Sequence, residues 1–144
     1  MTGPAAAVLR IERRFDATPE EVFDAWLDPR SAARWLFTTR SSEAHAIDLD
    51  PRFGGQWKIT DHRLGQDYQA RGEYLEIDRP RRLVFSFGMP QFSPEIGRVT
   101  VEIRRDGAGC VLELTQEPVP PGDQDGARRG WLEMFDGLAA TVGR

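Results

Sequence analysis

The last long stretch of the chain, Asp123 to Val142, constrains the fold more than any other. It reads DQDGARRGWLEMFDGLAATV, and Trp131, Met134, Phe135, Leu138 and Val142 recur at spacings of three and four. Those spacings gather the five side chains on one stripe of an α-helix. Most of the chain upstream reads as short strands, alternating with period two and punctuated by glycine and proline. An apolar helix stripe needs a surface to cover, and a half-apolar sheet needs a cover. The expected architecture is α+β, a curved antiparallel sheet of about six to seven strands wrapped on one long C-terminal helix. The space between sheet and helix is the first place to look for a ligand.

Earlier segments fit this picture. Residues 1–6 read as a loose tail, and 1–144 as a single domain. Val8 to Phe15 alternates, with Leu9, Ile11 and Phe15 expected inward. Thr18-Pro19-Glu20-Glu21 then carries an N-cap, a first-turn proline and the glutamate of a capping box. It predicts a helix with Val22, Phe23, Trp26 and Leu27 on one face, stopping at Asp28-Pro29. A second short helix is expected over Ser31 to Leu36. Strands follow over 43–49, 56–61, 67–77, 83–87, 98–104 and 110–117, joined by turns at Gly54-Gly55, Leu64-Gly65, Arg79-Pro80 and Gly107. The alternation slips at Tyr74-Leu75, which predicts a bulge.

Charge and cysteine usage narrow the partners. A net charge of -4 and a pI near 5.2 argue against nucleic acid and anionic membranes, which both select a basic face. The lone Cys110 excludes an internal disulfide and suits a reducing cytoplasm. The N-terminal AAAVL is too short for a signal-peptide core, and no stretch reaches membrane-spanning length.

In this order the segments resemble the activator of Hsp90 ATPase homologue 1-like family of the START-like, Bet v 1-like (SRPBCC) helix-grip superfamily. The resemblance rests on Thr18-Pro19-Glu20-Glu21-Val22-Phe23-Asp24-Ala25-Trp26, on Asp28-Pro29 followed by Trp35, and on Asp50-x-Arg52-x-Gly54-Gly55-x-Trp57. Gly72-Glu73-Tyr74-Leu75-Glu76-Ile77 running to Arg82-Leu83-Val84-Phe85 adds to it, as does Gly130-Trp131 with Phe135 and Leu138. It implies a helix-grip fold that commonly keeps a cavity. It does not imply one function, because the superfamily holds lipid binders, polyketide cyclases and resistance proteins. Hsp90 itself is not an expected partner. The eukaryotic co-chaperone carries a further N-terminal domain, whereas about seven residues precede the first strand here.

The expected ligand-binding set is Trp35, Trp57, Tyr68, Tyr74, Phe85, Phe87, Trp131 and Phe135. Two readings stand side by side. These residues line a pocket for a small apolar or aromatic molecule, or they simply fill the core. An alternative function is a cyclase or hydrolase type of enzyme in the same cavity, with Tyr68, Tyr74, Arg52 or His62 as polar actors. It requires at least two of these to converge on one point. No nucleophile elbow, phosphate loop or dinucleotide fingerprint is present, so no catalytic residue is assigned. No cofactor is implied, and His45 and His62 lack the spacing of a metal site. Asp50 and Arg52 read more simply as tying down the Gly54-Gly55 turn than as an anion clamp. Cys110 reads as a buried, inert thiol. Gly130 and Gly137, inside the last helix, are expected to allow close approach to the sheet. The 88–97 loop, with Met89 and Phe92, reads as a pocket lip, a homodimer contact or a fold-back onto the core.

Overall fold

The computed structural model describes residues 7–37, 42–89, 96–119 and 122–142. Its elements are β1 (Ala7–Phe15), α1 (Pro19–Leu27), α2 (Pro29–Trp35), β2 (Ser42–Leu49), β3 (Gln56–Arg63), β4 (Gln66–Asp78), β5 (Arg82–Phe87), β6 (Gly97–Asp106), β7 (Gly109–Val119) and α3 (Gln124–Val142). The strands form one seven-stranded sheet in the order β1-β7-β6-β5-β4-β3-β2. Every neighbouring pair is antiparallel. The chain therefore starts on one edge, crosses to the other through α1 and α2, and walks back strand by strand. This is the helix-grip fold, with α3 packed on α2, α1 and β1.

Local chemistry explains the boundaries. Thr18 Oγ1 accepts from the Glu21 N–H at 3.1 Å, and Glu21 Oε1 accepts from the Thr18 N–H at 3.3 Å, closing the expected capping box. Asp28 serves two helices. Its N–H donates to the Asp24 carbonyl, ending α1, and its carboxylate accepts from the Arg30 N–H at 3.1 Å, starting α2. Hence α2 begins at Pro29, earlier than the expected Ser31, because a proline in the first turn gives up no hydrogen bond. The β3–β4 hairpin turns on Leu64 (φ 51°) and Gly65 (φ 77°). Positive φ at both central residues matches the right-handed twist of the flanking strands.

The predicted bulge lies in β4. Tyr74 pairs with Phe85 and Glu76 with Val84, which leaves Leu75 outside the ladder and partly exposed. In the β2–β3 connection, Arg52 Nε donates to Asp50 Oδ2 at 2.9 Å. A Cβ on Gly55 would lie 2.1 Å from the Asp50 carbonyl oxygen, so only glycine fits there. Arg52 thus ties down a turn.

The core fills the concave side of the sheet. Leu9, Ile11, Ile59, Leu83, Val99, Val101, Leu112 and Leu114 meet Val22, Phe23, Trp26, Phe135 and Leu138 from the helices, all buried. The glycines of α3 behave differently from expectation. A Cβ on Gly130 would meet nothing within 4 Å, and one on Gly137 would meet Trp35 Cβ at 3.1 Å. The close approach is therefore helix to helix, α3 on α2, and not helix to sheet. The tail 1–6 and Phe92 of the 88–97 loop lie outside the described residues. Met89, at the loop's start, packs partly buried against the core. Among the described residues no helix is long and apolar enough to cross a membrane, which leaves β-barrels unaddressed.

Candidate functional site

Six of the eight aromatic candidates, Trp35, Trp57, Tyr74, Phe85, Trp131 and Phe135, are at most 4% exposed and belong to one cluster under α3. Phe87 packs against that cluster half-buried. Tyr68 stands apart near the β3–β4 turn, where its hydroxyl donates to Gln66 Oε1 at 3.3 Å. Two rings outside the expected set join the cluster. Trp26 of α1 lies 4.7 Å from Trp35 and 6.0 Å from both Phe85 and Trp131. Phe37, just past α2, lies nearly parallel to Trp57 (5.3 Å, 3°) and Phe87 (5.2 Å, 12°), and inclined to Trp131 (5.6 Å, 61°). No periodic signal marked Phe37, because it follows the helix and precedes no described strand directly.

Indole N–H groups set the orientation of these rings. Trp131 Nε1 donates to Gln116 Oε1 at 2.7 Å, Trp57 Nε1 to the Ser86 carbonyl at 3.2 Å, and Trp35 Nε1 to the Ala25 carbonyl at 3.1 Å. Gln116 is only 8% exposed. The phase of β7 could have revealed it, since Cys110, Leu112, Leu114 and Gln116 share the inward face and only the last is polar. Trp26 Nε1 is buried and has no hydrogen-bond partner among the described residues.

The cluster leaves little empty space. A void of about 10 Å³ remains beside Trp26, Leu36, Phe37, Trp57 and Tyr74. That is near the minimum for a single water. The wide opening lies elsewhere, at the N-terminal half of α3. There a groove of about 810 Å³ runs between Phe87, Met89 and Gly97 on one side and Gly122, Gly126, Ala127 and Arg129 on the other, with Gln116 and Val119 bordering it.

Among the polar candidates, Arg52 and Tyr74 are joined through the Asp50–Gly55 turn, where the Gly54 N–H donates to the Tyr74 carbonyl at 2.9 Å, while His62 and Tyr68 lie at the β3–β4 hairpin. Arg52 is bound to Asp50 in an exposed turn. His62 Nδ1 lies 2.7 Å from Asp67 Oδ1, and strand alternation places His62 on the face of β3 opposite Trp57, Ile59 and Asp61. Tyr74 is buried, and burial together with the negative charge of Asp50 pushes its hydroxyl well above the ordinary range. It remains a neutral phenol. Burial likewise raises the Cys110 thiol, opposed by Arg14 and Arg105, in keeping with an inert thiol. The β2–β3 register sets His45 opposite Asp61. A cross-strand neighbour of this kind is invisible in the sequence. His45 Nδ1 lies 3.1 Å from the Ala33 carbonyl oxygen. Among the described residues, no group of three or more metal-ligating side chains occurs.

Solved structures share this architecture. A protein from Chromobacterium violaceum is 27% identical and superposes with a TM-score of 0.85, covering 95% of this chain and 97% of its own. An AHSA1-like protein from Aeromonas hydrophila is 21% identical with a TM-score of 0.79, covering 94% and 92%. A protein of unknown function from Staphylococcus aureus is 19% identical, also with a TM-score of 0.79, covering 96% and 94%. The last two speak for the fold alone. No curated protein matches the sequence. The family described as "Activator of Hsp90 ATPase homolog 1-like protein" matches residues 16–143, nearly the whole chain. The chain belongs to the activator of Hsp90 ATPase homologue 1-like family.

Proposed function

We propose that this chain binds a small apolar or aromatic molecule in the groove beside the N-terminal half of α3. The groove's volume carries the reading. At about 810 Å³ it lies within the range of small-molecule sites, roughly 300–1,000 Å³. Phe87, Met89, Val119 and Ala127 supply apolar contact, while Gln116, Asp123, Asp125 and Arg129 supply polar contacts. Orientation by a few polar groups on an apolar wall is the usual form of such a site. Catalysis is not part of the reading, because Arg52 is engaged by Asp50 and His62 by Asp67, and Tyr74 is a buried neutral phenol. Hsp90 and a second copy of the chain are also left aside, since the supporting feature is concave. Its exposed large apolar side chains, such as Phe53, Leu64, Ile96 and Leu132, are scattered over separate elements. A cytoplasmic location, inferred from the single cysteine, belongs to the same proposal.

The direct test titrates the protein with N-phenyl-1-naphthylamine, a neutral fluorescent probe whose rings suit the wall. Ala127→Trp fills the groove from a half-buried position on α3. Affinity should fall by about tenfold or more, the equivalent of about 1.4 kcal/mol. An unchanged affinity would put the molecule elsewhere. Native mass spectrometry of protein from its own host would show whether a ligand is retained.

A further inference from the structure

Phe37 combines three features that a simple core residue would not need. Its backbone lies at φ 53°, in the left-handed region that a bulky side chain seldom adopts. The position directly follows the Leu36 C-cap of α2, where glycine is the common occupant. Its ring is half-buried against the cluster, lying almost parallel to both Trp57 and Phe87. That ring also borders the small void inside the cluster, while Phe87 borders the wide groove outside. Phe37 and Phe87 together therefore stand between the two spaces. The void has one further property. Trp26 lines it, and the Trp26 N–H is buried with no partner among the described residues.

We propose that the slot held by the Phe37 ring is a ligand site occupied by the protein's own side chain, and that a flat aromatic ring system bearing a hydrogen-bond acceptor takes its place. The inference rests on the groove reading for the ligand's route, and it narrows the ligand class. Near-parallel faces at Trp57 and Phe87 select flatness, since an aliphatic chain of equal volume would forgo the ring-on-ring contact. The Trp26 donor, costly to bury unpaired, selects an acceptor on the guest. Displacement of Phe37 releases a left-handed backbone conformation, so leaving the slot is easier for this residue than for Trp57 or Phe85. Removing the ring also joins the inner void to the groove, which makes room for more than one ring.

Two bicyclic probes test this on the full chain. Naphthalene has no acceptor, and quinoline differs by one ring nitrogen that only accepts. Phe37→Gly deletes the plug and suits the positive φ. Naphthalene should bind that variant about tenfold more tightly than wild type, because the guest no longer competes with a tethered ring. Quinoline should bind more tightly than naphthalene in both proteins. Equal affinity of the two probes overturns the acceptor assignment. A fluorine label on the Phe37 ring, introduced as 4-fluorophenylalanine, keeps the question answerable if Phe37→Gly fails to fold. Its resonance should move when quinoline saturates the labelled protein, and a stationary resonance with bound quinoline overturns the slot. Unchanged affinity in Phe37→Gly, together with loss of probe binding in Ala127→Trp, leaves the groove standing and removes the slot. Gain in Phe37→Gly with no loss in Ala127→Trp does the reverse.

Discussion

The two halves of α3 do different jobs. From Trp131 to Val142 the helix lies on a filled core, with Trp131, Phe135 and Leu138 buried and Gly137 pressed on Trp35. From Gln124 to Gly130 the helix is mostly exposed, with only Ala127 and Gly130 half-buried, and it flanks the groove. One half lies on buried aromatic rings, and the other borders a groove of about 810 Å³. A helix gripped along only part of its length can hold the fold together and still present an unfilled wall. The Trp131–Gln116 hydrogen bond sits where the two regimes meet.

This contrast fails first if Phe135 matters little. Its ring is fully buried and lies within 6.4 Å of those of Phe15, Trp26, Trp35 and Trp131. Phe135→Ala should cost about 3–5 kcal/mol in urea unfolding. A loss far below that would mean that the second half is not a packed core.

Gln116→Leu probes the junction. It leaves the Trp131 N–H without its acceptor in a buried place, and should destabilise by about 1–3 kcal/mol by the same measurement. An effect near zero would mean that water or the groove already serves that group.

The glycines sharpen the contrast from the backbone side. Gly130→Ala adds a methyl into open space and should stabilise the helix by up to about 1 kcal/mol. Gly137→Ala meets Trp35 Cβ at 3.1 Å and should forfeit that gain or reverse it. Equal melting shifts for the two variants would erase the difference between the halves.

A subtler check uses pH. Burial holds the Cys110 thiol above its ordinary value of 9.0 and the Tyr74 hydroxyl above 10.0. Below those values both groups are protonated in folded and unfolded chains alike. Above them the unfolded chain releases protons that the folded chain keeps, so stability falls as pH rises. Urea midpoints should decline from about pH 9 upward, and Cys110→Ala should flatten the first part of that decline. A midpoint independent of pH across this range would contradict the burial of both groups.

Features written in short stretches were legible in the sequence. The capping box at Thr18 and Glu21 spans three residues, so its hydrogen bonds could be assigned before any tertiary contact was known. The bulge at Leu75 showed as a slipped alternation. The inward face of β1, with Leu9, Ile11 and Phe15, followed from period two alone. The aromatic candidates were legible as a set, but their division was not. Period and composition cannot distinguish Trp57, which stacks on Phe37, from Tyr68, which stands at a hairpin end. Phe37 carried no signal because its partners Trp57 and Phe87 come from separate strands and its conformation follows from a helix end.

What the sequence determined by itself is the kind of layers and their order. Spacings of two and of three to four select strand and helix, glycines and prolines mark the turns, and an apolar stripe at the end demands a sheet to lie on. What only the tertiary structure decided is where the space is left. Cavities depend on how side chains from distant segments fill a common volume, and no local pattern encodes that sum. The helix that announced the fold in the sequence therefore did not announce its own division, a packed half over the core and an open half beside the groove.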